Sequence, residues 1–222
     1  MAYIPGDNSD EVIYGTNSSD DIFSKGGDDT VYGLGGDDFL WSGSGNDIYD
    51  GGAGWDRVFY RNDPSGVHVD MSLGTATDGW GDTDTFINIE RVTGSDFDDT
   101  LLGSSGNDSF TGELGDDLID GRGGSDFVWY GRSPGAVNVD LQSGVVSGAE
   151  GSDTLISIES IGGSNYSDTL LGSSADNWFV PDQDDDIYSP HYTGPKGVEE
   201  TISRRRTAQC PDGQRIASLD TT

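Results

Sequence analysis

From Gly15 to Phe59 the sequence repeats every nine residues without a slip: GTNSSDDIF, SKGGDDTVY, GLGGDDFLW, SGSGNDIYD and GGAGWDRVF, with Asp sixth and an apolar or aromatic residue eighth in each unit. A unit this short cannot bury its own apolar side chain, so neighbouring units must cover it, and a fixed period of this kind specifies a stacked solenoid. Positions one to six are Gly-rich and end on Asp, which suits a tight turn lined with oxygen atoms. Positions seven to nine make a minimal strand whose middle side chain (Ile22, Val31, Leu40, Tyr49, Val58) points inward while its neighbours point out. Two nonapeptides then form one coil of about 18 residues, and coils stack at the strand spacing of about 4.8 Å.

That stacking sets Asp20 over Asp38, Asp29 over Asp47 and Asp38 over Asp56. Two unit charges about 5 Å apart at an effective dielectric near 20 repel by about 3 kcal/mol. Burying one apolar side chain per unit returns only about 1.5–3 kcal/mol, so the stack is not expected to form without a cation. With calcium between the turns, metal binding becomes folding free energy.

These nonapeptides resemble the GGxGxDxUx repeats of the RTX (haemolysin-type) calcium-binding family. The resemblance implies an all-β fold, a right-handed parallel β-roll or β-helix solenoid with Ca2+ held in the Gly-Asp turns, and export by bacterial type I secretion machinery to an extracellular location. The metal ligands it points to are Asp20, Asp29, Asp38, Asp47, Asp56, Asp99, Asp108, Asp117, Asp126 and Asp168. The turn glycines Gly27, Gly33, Gly35, Gly36, Gly51, Gly103, Gly112 and Gly121 complete the set.

The organisation follows the repeat register. Residues 1–14 form a degenerate N-terminal cap with Glu11 where Asp is expected and Ile13 in the apolar slot; 15–59 are the first array and 60–93 an insert. In the insert, Val67-His68-Val69-Asp70-Met71 and Phe86 to Val92 alternate with period two and predict two strands. The register resumes at Gly94, and 94–129 are a second array supplying Asp99, Asp108, Asp117 and Asp126. Residues 130–162 duplicate the insert: GAVNVDLQSG and DTLISIESIGG echo SGVHVDMSLG and DTFINIERVTG about 70 positions earlier. This duplicated segment resembles those that interrupt RTX arrays in serralysin-like C-terminal domains, which nominates Asp84, Glu90, Asp153 and Glu159 as added ligands or solvated strand-edge acids. Repeats decay over 163–188, where Asn177 takes a metal position and Asp186 keeps one. Residues 189–222 form a C-terminal tail with the run Arg204-Arg205-Arg206.

Composition supports the same reading. A formal charge of −30 over 222 residues with 32% hydrophobic content describes a chain that is disordered until cations arrive. Such acidity excludes nucleic acid and anionic membrane surfaces as partners, and no apolar run is long enough to predict a membrane span. The one cysteine, Cys210, makes no internal disulfide. The opening MAYIPGDNSDEV has neither a basic nor an apolar leader region, which fits export that needs no Sec signal and equally fits a cytosolic protein or a fragment of a longer one.

Other chemistries fit poorly. The stretch Asp182 to Ile187 lacks an EF-hand's turn glycine, and no Gly-rich turn is followed by the Lys of a phosphate loop. GRSPG at 131–135 matches a nucleophile elbow, yet Pro134 removes the N–H an oxyanion hole needs. His68, in the outward phase of its strand, and His191 offer little general-base chemistry. Acids at position five (Asp28, Asp37, Asp98, Asp116) read as solvated. Tyr32, Trp41 and Phe59 at position nine face outward and suggest a stripe on one side of the roll. The reading is a non-enzymatic calcium-binding module. Its alternatives are the detached C-terminal module of a secreted serralysin-like protease, or a calcium-dependent adhesin with a cell-surface glycan or protein partner.

Overall fold

The structure, a computed structural model, describes residues 1–180 and 186–189, with 202–203 as a backbone strand. All regular structure among the described residues is β. Successive nonapeptides alternate between two sheets, so each sheet pairs strands from every second repeat. The first sheet runs through Ala2–Pro5, Asp20–Phe23, Phe39–Trp41, Arg57–Phe59, Arg91–Thr93, Ser109–Thr111, Phe127–Trp129, Ser160–Gly162 and Trp178–Val180, and its pairs are parallel. The second begins with Val12–Tyr14, Thr30–Tyr32 and Ile48–Asp50, again parallel. The fold is a parallel β-roll.

The 18-residue coil is visible in the register. Ile22 lies opposite Leu40, Leu40 opposite Val58, and Val31 opposite Tyr49. These five inward side chains have no exposed surface, and Val92, Leu101, Phe110, Ile119, Val128, Ile161 and Leu170 continue the line in the same state. One apolar side chain per nonapeptide, stacked on the equivalent residue of the next coil, thus builds a core only one side chain wide between the sheets.

Both inserts depart from the two-strand expectation. In the first, three strands join the second sheet: His68–Asp70, Thr75–Thr77 antiparallel to it, and Thr83–Ile87, which rejoins the roll parallel to Ile48–Asp50. The segment Phe86 to Val92 is not one strand, because the chain turns at Asn88 (φ 51°) and Arg91–Thr93 enters the first sheet. Thr75–Thr77 escaped detection because a three-residue TAT strand next to Gly74 carries one inward residue, Ala76, and no alternation to read. The duplicate repeats the layout with Val137–Asp140, Val145–Gly148 and Thr154–Ile156. Each insert starts on a fully enclosed aromatic, Tyr60 or Tyr130.

Position-nine aromatics do not share one side. Tyr3, Phe23, Trp41 and Phe59 form a ladder on the first sheet with successive ring centroids 5.1, 5.3 and 4.3 Å apart. Tyr14 and Tyr32 stack on the second sheet at 5.2 Å. Alternation of repeats between sheets separates them, and each stacked pair adds roughly 0.5–1.5 kcal/mol to coil cohesion. The tail, with its Arg run, His191 and Cys210, and most of the rejected EF-hand stretch lie outside the described residues. No helix among the described residues is long and apolar enough to cross a membrane.

Because the core is one side chain wide, Leu40→Ala is expected to cost roughly 2–5 kcal/mol, whereas Leu73→Ala, at a side chain 73% exposed, stays within about 0.5 kcal/mol. Thermal melts of both variants in excess calcium check the difference.

Candidate metal-binding turns

Every sixth-position Asp named from the sequence sits in the same place: where the turn meets a strand and at most 4% exposed, immediately before the strand or, at Asp20, as its first residue. Except at Asp108, one carboxylate oxygen reaches the previous coil. Asp38 Oδ1 accepts the Asp20 N–H at 2.8 Å, Asp56 Oδ1 that of Asp38 at 2.8 Å, and Asp47 Oδ1 that of Asp29 at 2.8 Å. The second array repeats this with Asp117 on Asp99 (2.9 Å) and Asp126 on Asp108 (2.8 Å). Asp99 and Asp168 accept from Val67 and Val137 in the inserts, each at 2.8 Å.

The insert acids carry the same ladder forward. Asp84 Oδ1 accepts from Asp47 N–H (3.0 Å) and Glu90 Oε2 from Asp56 N–H (3.0 Å); Asp153 and Glu159 do the same for Asp117 (3.1 Å) and Asp126 (2.9 Å). Asp84 and Asp153 are buried rather than solvated strand-edge acids. Glu serves where the turn is shorter and its longer side chain makes up the distance.

The second carboxylate oxygen divides the turns. Oδ2 of Asp29, Asp38, Asp56, Asp117 and Asp126 is buried with no hydrogen-bond partner. A bare buried carboxylate oxygen is costly, and these five are oxygen donors suited to a hard cation. At Asp20, Asp99, Asp108 and Asp168 the same atom accepts the N–H of the residue four positions earlier, at 2.6–2.7 Å. Asp47 Oδ2 is held by the Tyr49 hydroxyl at 2.6 Å.

The turn glycines serve this packing. A Cβ at Gly33, Gly51, Gly112 or Gly121 would stand 2.4, 2.5, 1.9 or 2.5 Å from the Oδ2 of its own repeat's Asp, so only glycine lets the carboxylate fold beneath the backbone. At Gly103 the nearest atom would be the Gly121 carbonyl oxygen, 2.6 Å away, with Asp108 Oδ2 at 2.9 Å. Gly27 (φ 107°) and Gly36 (φ 102°) adopt the left-handed region at position four, while Gly35 at position three bridges to Ala53 in the next coil. Among the described residues no three acidic, His or Cys side chains converge as a metal cluster, so an ion in a turn would take main-chain carbonyl oxygens alongside carboxylate.

Burial is the largest cause of the raised carboxyl pKa values here, pushing Asp38 up to about 7 and Asp117 up to about 8, with neighbouring carboxylates adding to it. Asp29, Asp56 and Asp126 rise to about 6 for the same leading reason. Repulsion between stacked acids, the expected main cost, is therefore second to desolvation. Each carboxylate aims at a backbone N–H and not at its neighbour, which offsets part of the repulsion.

Some site features were not foreseen. Position-five acids are exposed as expected but form an outer ladder, with Asp28 Oδ1 accepting Asn46 N–H, Asp37 Oδ1 accepting Trp55 N–H and Asp116 Oδ1 accepting Ser152 N–H. Asp63 and Asp78 in the first insert are buried too, and burial pushes Asp63 up to about 7. Outside the Asp47 repeat, the residue at position two marks whether Oδ2 is partnered, a signal that comparison of position two across repeats would have revealed. Ser133 of GRSPG is buried, donates to the Gly135 carbonyl at 2.8 Å and precedes a strand instead of a helix, while His68 is exposed.

A stack of two-strand coils closed by Gly-Asp turns with unmet carboxylate oxygens defines a cation-binding β-roll. The family model of the RTX calcium-binding nonapeptide repeat (4 copies) matches residues 5–40, 14–49, 23–58 and 93–128, and over these residues the chain is built of RTX calcium-binding repeats. A search of curated proteins found no match.

The raised values set a pH dependence. The folded state holds protons on Asp38, Asp63, Asp84 and Asp117 up to about pH 7–8, whereas unfolded Asp releases them near 3.9. Between these limits the folded state binds more protons, so stability falls as pH rises. In chelator, β-structure by circular dichroism is expected to be greater at pH 5.5 than at pH 8; the reverse order would contradict the burial assignment.

Proposed function

We propose that this chain is a non-enzymatic calcium-dependent folding module that works outside the cell. The observation that carries this reading is the set of five buried, unpartnered carboxylate oxygens on Asp29, Asp38, Asp56, Asp117 and Asp126, in repeats of a calcium-binding family. Their carboxylates, with main-chain carbonyls of the Gly-rich turns, would hold the ions. Asp20, Asp47, Asp99, Asp108 and Asp168 occupy the equivalent place in the remaining repeats.

Calcium supplies two positive charges where the fold has gathered desolvated negative ones. The residues contribute the rest: they fix the carboxylates by one oxygen, leave the other free, and exclude water from it. Charge neutralisation then removes the main cost of closing the coils, so ion binding and folding are one equilibrium. Extracellular calcium modules bind at about 10⁻⁴–10⁻³ M, which leaves such a chain unfolded in a low-calcium cytoplasm and folded outside. RTX repeat proteins are typically secreted, which supports an extracellular site of action and passage through type I machinery as an unfolded chain.

Far-ultraviolet circular dichroism of the full chain, titrated from chelator with calcium and separately with magnesium, tests the reading. A cooperative gain of β-structure specific to calcium, with a midpoint of about 10⁻⁴–10⁻³ M, is expected. Asp38→Asn should move that midpoint upward several-fold, because it removes the charge but keeps the ladder acceptor. Asp37→Asn, at the exposed neighbouring position, should leave it nearly unchanged. A chain fully β-structured in chelator, or indifferent to calcium, would overturn the proposal.

A further inference from the structure

Apart from the Asp47 repeat, where Gly43 stands at position two and the Tyr49 hydroxyl holds Oδ2, nonapeptides that look alike in sequence close in two different ways, and position two marks which. In the turns of Asp29, Asp38, Asp56, Asp117 and Asp126, position two is Lys25, Leu34, Gly52, Glu113 or Arg122, and each has a left-handed backbone, with φ of 74°, 74°, 90°, 77° and 62°. Position four of these turns is Gly27, Gly36, Gly54, Gly115 or Gly124, also at positive φ. These five turns are the ones whose Asp Oδ2 is buried and unpartnered.

The other kind has Thr or Ser at position two. Ser104 donates its N–H to Asp108 Oδ2 at 2.6 Å, its hydroxyl lies 3.0 Å from the same oxygen, and that hydroxyl accepts the Gly106 N–H at 2.9 Å. Thr16 makes the same closure on Asp20, whereas Ser95 and Ser164 donate the N–H to Oδ2 and the hydroxyl to Oδ1 of Asp99 and Asp168, each hydroxyl again accepting the position-four N–H. One hydroxyl thus joins the position-four N–H to the carboxylate, and the position-two N–H gives Oδ2 the partner it lacks in the open turns. The repeat GSSGNDSFT isolates the cause. It has Gly106 at position four, like the open turns, yet Gly106 is absent from the positive-φ residues because Ser104 holds the N–H inward.

We propose that this chain carries two classes of turn, and that calcium enters the open ones while a Ser or Thr hydroxyl takes the ion's place in the turns of Asp20, Asp99, Asp108 and Asp168. A left-handed residue cannot be traded cheaply for Ser or Thr, whose Cβ disfavours that region, so the two closures exclude each other within a repeat. The closed turns stand first after each break in the register: Thr16 opens the first array, Ser95 and Ser104 the second, and Ser164 the decaying third. The first and second arrays each begin on a turn complete without metal and continue into open turns, while in the third the Asn177 turn is again closed, by Ser173.

This inference rests on the open turns being calcium sites, and the test separates the two. Ions bound per chain are counted by native mass spectrometry and by equilibrium dialysis on the full chain, with circular dichroism in excess calcium confirming that each variant is folded. Ser104→Gly turns GSSGNDSFT into the open pattern and is expected to gain about one calcium; Gly52→Ser is expected to lose about one. A parent chain that binds no calcium overturns the calcium reading and this inference with it. Calcium binding whose count ignores folded Ser104→Gly and folded Gly52→Ser overturns this inference alone. If Ser104→Gly does not fold, the count for Gly52→Ser and for the parent chain decides, since a parent count that includes the four hydroxyl-closed turns also overturns it.

Discussion

The bond on which the roll depends runs from a backbone N–H in one coil to a carboxylate oxygen in the next. Strands of three residues supply few ladder hydrogen bonds, and the turns between them are long relative to the strands. Without the Asp oxygen at position six, the N–H that opens each strand would be buried and unsatisfied, at a cost of about 1–3 kcal/mol per coil. Charge-assisted bonds of 2.8–2.9 Å from Asp38, Asp56, Asp47 and Asp117 tie coil to coil at the point where the turn becomes strand. The inward Ile, Val and Leu side chains set the spacing, and the carboxylates set the register.

That solution brings charge into the interior. Desolvation raises the carboxyl pKa values of the sixth-position acids from Asp29 to Asp168, and the protein meets the cost in two chemical ways: with hydroxyl and N–H donors within the repeat, or with an oxygen left free for a cation. Asp70 shows a third arrangement outside the turns, where the Arg122 guanidinium makes two 2.8 Å bonds to its carboxylate and holds it well below the usual range. Arg122 is itself the left-handed residue of an open turn, so this pair fastens the first insert to the second array.

The inserts show how strict the ladder is. Each adds strands to the second sheet and only one to the first, and the chain still returns with an acid in place to accept the next N–H. Asp84 and Asp153 also receive the hydroxyls of Tyr60 and Tyr130 at 2.8 Å, which lets a large aromatic fill the core where coil geometry changes. Duplication of the whole segment, down to these tyrosines, reproduces the arrangement a second time.

The nine-residue period alone determined the parallel roll, the 18-residue coil, the inward residues and the alignment of Asp20 with Asp38 and Asp29 with Asp47, because spacing along the chain becomes spacing along the stack. The duplicated insert was legible for the same reason, and so was the burial of one residue per unit. What the sequence left open was direction. Whether Asp84 faces solvent or core, whether Trp41 and Tyr32 share a face, and which carboxylate oxygen is left bare depend on contacts between residues many positions apart and on backbone angles that composition does not record. Only the folded chain decided these, since each depends on which N–H the adjacent coil presents, and that coil exists only once the stack has formed.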